Sequence, residues 1–140
     1  MESVTEIVER MVNDFVELRW DELSKIYSFP IVVFFGADIF VLTDKADFLS
    51  KIQAYHAALA SQGVSHIQSS VEEVKSIGQE RCQFLVRNEY CQKDDTGLSE
   101  ARIRYFLEQQ QGVLKVRMVE YLNKPFEQVD QDGSLFEDVH

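Results

Sequence analysis

Few residues in this chain are suited to acid–base chemistry. His66, in the stretch SHIQSS, carries an imidazole, the side chain type most often used as a general acid or base. Turned inward beside Tyr105 or Tyr90, it would form a proton-transfer set with His66 as base and Tyr105 as donor. The plainer role is a half-buried imidazole satisfied by a nearby carbonyl, and a single histidine without a fixed carboxylate favours that role. Asn88 and Tyr90 add polar groups to the same region. His56 follows Tyr55 at the edge of an apolar stripe, where a structural or surface role is expected. Asp38 sits in the turn GAD, where aspartate is favoured for local backbone bonding rather than catalysis. No nucleophile elbow, phosphate-binding glycine loop or metal-ligand spacing occurs, so neither a metal nor a cofactor is expected. The tail segment DQDG resembles a calcium loop only faintly, since Gln128 and Val139 stand where that loop needs acids.

Composition narrows the partners. The formal net charge of −10 and the scattered Lys and Arg side chains leave no cationic footprint for nucleic acid. An anionic membrane surface would repel such a chain. The longest apolar run, Ile31 to Phe35, falls far short of the roughly 20 residues a membrane helix needs. The N-terminus is acidic and amphipathic, so no secretory signal is read and a cytoplasmic location is expected. Cys82 and Cys91 lie nine residues apart on one expected strand, about 30 Å along it, too far to bridge. A neutral or cationic small molecule, or another protein, is left as partner.

The chemistry must be positioned by a short series of elements. Val4, Ile7, Val8, Met11, Phe15 and Leu18 recur at helical spacing, with acids on the other side. WDELSKIY follows as a short second helix, with Leu23, Ile26 and Tyr27 on one face, and Pro30 ends it. Ile31–Phe35 and Ile39–Val41 read as an apolar hairpin around Gly36, Ala37 and Asp38. Thr43 or Asp44 caps a third helix with the stripe Phe48, Ile52, Tyr55 and Leu59, ended by Gly63. From Val64 the period changes to two. Long strands are expected over 64–77, 80–92, 98–110 and 113–122, antiparallel and strongly twisted. The acidic segment 123–140 is either disordered or docks through Phe126, Leu135 and Phe136.

This order, carried by WDELSKIYSFP, IVVFFGADIFVL, DKADFLSKIQAYHAALASQG, GVSHIQSSVEEVKSIGQERCQFLVRNEY and RIRYFLEQQQGVLKVRMVEYL, resembles the nuclear transport factor 2-like superfamily. That group includes ketosteroid isomerases, SnoaL-like polyketide cyclases and scytalone dehydratase. The resemblance covers roughly Val4 to Leu122 and implies one α+β domain over 1–122. A curved antiparallel sheet would wrap into a cone around the helices, the cystatin-like fold. It also implies homodimers formed through the outer face of the sheet, and a functional histidine in the region of His66 in some relatives. The acids and the tyrosine of a ketosteroid isomerase have no counterparts here: Ile31 to Phe35 holds no acid, Met11 and Phe15 replace the tyrosine, and Ile103, Arg104 and Tyr105 lack the aspartate.

Strict alternation places Phe84, Val86, Asn88, Tyr90, Ile103, Tyr105, Leu114, Val116 and Met118 inside the cone. Leu85, Phe106, Val119 and Tyr121 fall outside among arginines, a mixed face suited to a dimer interface. The expected ligand pocket is lined by Met11, Phe15, Tyr27, Phe35, Phe40, Phe84, Asn88, Tyr90 and Met118. The function expected is binding of a mostly apolar or aromatic small molecule. A SnoaL-like lyase or isomerase using His66 and Tyr105, or a protein–protein adaptor, are the alternatives.

Overall fold

A computed structural model describes residues 3–78 and 80–126. The elements run α1 (Val4–Val16), α2 (Trp20–Ser24), β1 (Tyr27–Phe35), β2 (Asp38–Leu42), α3 (Lys45–Ser61), β3 (His66–Ile77), β4 (Arg81–Cys91), β5 (Gly97–Gln110) and β6 (Val113–Tyr121). The expected 123–140 segment is described only as far as Phe126; Leu135, Phe136 and DQDG lie outside the described residues.

Each helix begins where its sequence supplies a cap. Ser3 opens α1 with a capping box: its hydroxyl accepts from the Glu6 N–H, and the Glu6 carboxylate accepts from the Ser3 N–H at 3.0 Å. Asp44, not Thr43, caps α3 by accepting from the Asp47 N–H, while Thr43 donates twice to the Asp47 carboxylate. Ile7, Val8, Met11 and Phe15 are the buried stripe of α1, but Leu18 departs from it. Leu18 lies beyond the helix with φ of 61° and is exposed. The second helix is shorter than WDELSKIY suggests, and Tyr27 already belongs to β1.

The six strands form one sheet in the order β2-β1-β6-β5-β4-β3. All neighbours are antiparallel except β1 and β6, which are parallel. The apolar hairpin closes on a two-residue turn, Gly36-Ala37, with Phe35 opposite Asp38 and Gly36 at φ +63°. Glycine at the first turn position suits the strand twist. Asp38 is therefore the exposed first residue of β2 rather than part of the turn. Ile31, Val33 and Phe35 alternate inward and are at most 5% exposed.

Alternation holds along β4, where Phe84, Val86, Asn88 and Tyr90 are buried. It fails on β6. Leu107 pairs with Val116, but Phe106 pairs with Met118, so Arg117 is an extra residue on β6. This bulge shifts the phase by one. Val116 and Val119 are both buried, and Met118 turns to the outer face beside Phe106. Two expectations are corrected here. Val119 and Tyr121 belong to the interior, not to the outer face, and Met118 belongs to the outer face, not to the pocket.

The outer face keeps Leu85 and Phe106, both half-buried, and gains Met118. Val32, paired with Met118, and Phe34, paired with Glu120, extend it across β1. Its arginines are paired within the chain: Arg104 with Glu120 at 3.2 Å, Arg87 with Glu100 at 2.6 Å and Arg102 with Glu72 at 3.0 Å. No helix among the described residues is long and apolar enough to cross a membrane.

Candidate functional site

The concave side of the sheet, covered by α1 and α3, encloses a cavity in two lobes. The first has a volume of about 60 Å³ and lies between the β1–β2 hairpin, β6 and α3; Ile31, Val33, Leu42, Lys51 and Val119 line it. The second, about 70 Å³, lies between α1 and strands β3 to β5; Met11, Phe15, Ile67, Asn88, Tyr90 and Ile103 line it. Tyr27, Ile52, Tyr55, Tyr105 and Tyr121 border both lobes. Each lobe has room for several water molecules, so the space is that of a small ligand or a short water chain.

All five tyrosines of the chain stand around this cavity: Tyr27 from the start of β1, Tyr55 from α3, Tyr90 from β4, Tyr105 from β5 and Tyr121 from the end of β6. The Tyr55 and Tyr90 hydroxyls are 3.0 Å apart. The Tyr121 ring meets Tyr55 edge-on with centroids 6.2 Å apart, and Asn88 lines the same lobe as Tyr90. The Asn88 carbonyl in turn accepts from the Ser69 hydroxyl at 2.5 Å. Burial pushes all five phenols above their ordinary value, with neighbouring phenols adding to the rise at Tyr55, Tyr105 and Tyr121. At neutral pH they are uncharged O–H groups, able to donate one hydrogen bond each and to accept others.

Aromatic packing fixes the wall. Phe15 lies 5.9 Å from Tyr55 and 5.2 Å from His56. Trp20 meets Phe15 edge-on at 5.8 Å and His56 at 5.5 Å. Burial in this aromatic setting lowers the His56 pKa. Tyr105 lies over Phe84 at 5.4 Å, and Tyr121 over Phe35 at 4.8 Å.

Of the residues assigned to a pocket from sequence, Met11, Phe15, Tyr27, Asn88 and Tyr90 come together around the lobes. Phe35 and Phe84 are 1% exposed and lie beneath tyrosines rather than at the cavity surface. Phe40 packs half-buried against the core and borders neither lobe. Met118 is on the other side of the sheet. Tyr55, Tyr121, Ile52 and Lys51 were not assigned to the pocket by sequence. Lys51 left a signal: it falls on the core-facing side of α3, three residues after Phe48 and four before Tyr55, where a lysine is out of place.

The pairing of His66 with Tyr105 is overturned. His66 lies opposite Cys91 and Tyr105 opposite Phe84. Seven residues of β4 separate those partners, about 23 Å along a strand. His66 instead sits at the rim. Its Nε2 is 2.7 Å from the Asp95 carboxylate and its Nδ1 is 3.1 Å from the Ser65 hydroxyl. Both ring nitrogens are thus engaged by exposed neighbours, and Tyr90, opposite Ile67, is not among them. Among the described residues no group of three or more His, Cys, Asp and Glu side chains is placed to hold a metal ion. Cys82 and Cys91 are free, and burial raises both thiols.

Comparison with known proteins agrees with this architecture. The profile of the family described as NTF2-like protein (DUF6841) matches residues 2–123. No curated protein matches the chain. Among solved structures, an NTF-2 like protein of unknown function from Shewanella oneidensis superposes with a TM-score of 0.65 at 10% identity, over 84% of this chain and 94% of its own. A domain of unknown function with a cystatin-like fold from Nostoc punctiforme gives 0.64 at 11% identity, over 90% and 78%. An NTF2-like protein with a cystatin-like fold from Novosphingobium aromaticivorans gives 0.62 at 11% identity, over 83% and 76%. At these identities the likeness is one of fold, and it fits the α+β cone expected from the sequence.

Proposed function

The chain belongs to the family of NTF2-like proteins (DUF6841), and we propose that it binds a small, largely apolar or aromatic molecule inside the cone. The observation that carries this reading is the gathering of all five tyrosines around one two-lobed cavity. A purely structural core would close to a dry packing with few voids larger than a water molecule. Here five flat rings leave open space, and their hydroxyls offer orientation-dependent bonds within an apolar wall. That combination is the one small-molecule sites use. Raised phenol pKa values make these groups donors and acceptors rather than bases, which favours binding over proton abstraction.

The proposal includes a homodimer through the outer sheet face, centred on Phe106 and Met118. Support comes from the apolar row Val32, Met118 and Phe106 lying among paired arginines and glutamates. It includes a cytoplasmic location, which the two unpaired thiols suit.

Native mass spectrometry of gently purified protein tests the reading. A discrete extra mass, lost in an Ile52→Trp variant that fills both lobes while remaining folded, is the expected result. A bare protein, together with no rise in Tm across a panel of small aromatic compounds, would refute it.

A further inference from the structure

We propose that the rim of the cone carries a separate site: a nucleophilic serine, Ser65, served by His66 as base and by Asp95 as positioning residue, which takes a short acyl group from an activated ester. Ser65 and His66 stand at the start of β3, and Asp95 in the turn between β4 and β5. The His66 Nε2 lies 2.7 Å from the Asp95 carboxylate, and its Nδ1 lies 3.1 Å from the Ser65 hydroxyl. A carboxylate only accepts hydrogen bonds, so Nε2 carries the proton of the neutral ring. Nδ1 is then the acceptor, and the Ser65 O–H donates to it. Acid fixing the tautomer, imidazole holding the hydroxyl proton: that is the arrangement a serine nucleophile needs.

The backbone holds Asp95 in place against its own preference. Its φ is 69°, in the left-handed region that suits glycine. The turn fixes it there. The Gln92 N–H donates to the Thr96 carbonyl at 2.8 Å, and the Asp95 N–H to the Gln92 carbonyl at 3.0 Å. The Thr96 N–H donates to the Asp94 carboxylate at 3.1 Å. Ser65 is tied to the same hairpin, since its N–H donates to the Cys91 carbonyl at 2.8 Å. Both partners of His66 are therefore anchored at the end of β4, and a strained residue whose carboxylate meets an imidazole points to a functional arrangement.

Beside this set lies a small groove of about 20 Å³, bordered by Ser65 and His66 and by the apolar Phe15, Leu59, Val64 and Ile67. It suits only a short acyl chain. His56 borders the same groove, its ring held by Phe15 and Trp20. Burial lowers its pKa, so at pH 7 it is neutral and keeps one N–H to offer a developing oxyanion. In the first step the Ser65 oxygen attacks the acyl carbon and its proton passes to Nδ1. The ester C–O bond breaks, and the leaving oxygen takes that proton. Water then attacks the acyl-serine and gives a proton to Nδ1. The Ser65 oxygen recovers that proton as the carboxylic acid leaves.

The test treats the full chain with diisopropyl fluorophosphate at pH 7 and locates the adduct by peptide mass spectrometry; 4-nitrophenyl acetate hydrolysis is followed in parallel. The serine oxygen displaces fluoride from phosphorus, and its proton leaves with the fluoride. The expected result is an adduct on Ser65, absent in Ser65→Ala. His66→Ala should slow both labelling and ester hydrolysis about 100-fold, as loss of a positioned base does. Asp95→Asn should slow both about tenfold with Tm unchanged, and Asp95→Glu should recover part of that loss, which a merely structural role would not produce. No adduct on Ser65, an adduct on another residue in its place, or ester hydrolysis unchanged in Ser65→Ala overturns the proposal. The wild-type adduct decides the question even if a variant fails to fold. The cavity takes no part in this chemistry, so failure at the rim leaves the small-molecule reading standing, and the reverse holds.

Discussion

The β6 bulge at Arg117 makes a sharp prediction about two adjacent residues. Val119 is 6% exposed, faces Tyr105 and Val33 across the neighbouring strands, and borders the first lobe. Met118 lies half-buried on the opposite face beside Phe106 and Val32. Replace each in turn by lysine. At position 119 the ammonium enters a largely apolar space whose lining, among the described residues, includes no carboxylate and already contains Lys51. To be accommodated it must lose its proton. A lysine with an ordinary pKa of about 10.4 that is neutral at pH 7 in the folded state gives up about 4–5 kcal/mol. That is a large share of the roughly 5–15 kcal/mol by which a domain of this size is stable. At position 118 the stem lies along the sheet with its charge in water, and the expected loss is within about 1 kcal/mol. Urea unfolding followed by circular dichroism measures both, at two protein concentrations so that any contribution from association is separated. The Val119→Lys defect should shrink as pH rises. The depressed folded pKa means that the unfolded state binds the extra proton, so stability increases with pH until both states are neutral. If Met118→Lys proves the more damaging substitution, β6 keeps strict alternation and the bulge is refuted.

Other outcomes follow from single contacts. Removing either partner hydroxyl, by Tyr55→Phe or Tyr90→Phe, should cost about 1 kcal/mol, and a double-mutant cycle should show coupling between them; additive losses would contradict the 3.0 Å bond. Ser3→Ala removes the α1 cap and should cost about 1 kcal/mol in urea unfolding. The lowered His56 pKa means that the unfolded chain takes up the proton first, so stability should fall as pH drops below about 6.5. His56→Gln should flatten that part of the stability–pH curve, and an unchanged slope would count against the aromatic burial of His56. Phe106→Asp should shift native mass spectra from dimer to monomer; a dimer that persists would remove the outer face from consideration as the interface.

How much of the site was legible depends on which interactions decide each part. The capped starts of α1 and α3, their buried stripes and the change to period two after Val64 are local, and the sequence states them through spacing and capping chemistry. So is the closure of the hairpin at Gly36, because a left-handed turn position favours glycine. Pocket residues on α1 and β4, such as Met11, Phe15, Asn88 and Tyr90, were readable for the same reason: their periodicity is unbroken. On β6 the run VRMV puts apolar residues at 116, 118 and 119, and two phases fit it equally well. Only pairing with β5 selects the bulge at Arg117, which sends Tyr121 to the cavity and Met118 out.

What the sequence alone determined is therefore the set of elements, their inward faces and, through their order, the family resemblance, because each rests on contacts a few residues apart. The convergence of five tyrosines spaced across ninety-five positions, the placement of Lys51 among them, and the separation of His66 from Tyr105 rest on strand order and register across the whole sheet. Those are long-range pairings, and a one-residue slip in any of them turns a wall of phenols into an outer surface. Tertiary structure alone fixes that register, and with it which side chains share the cavity.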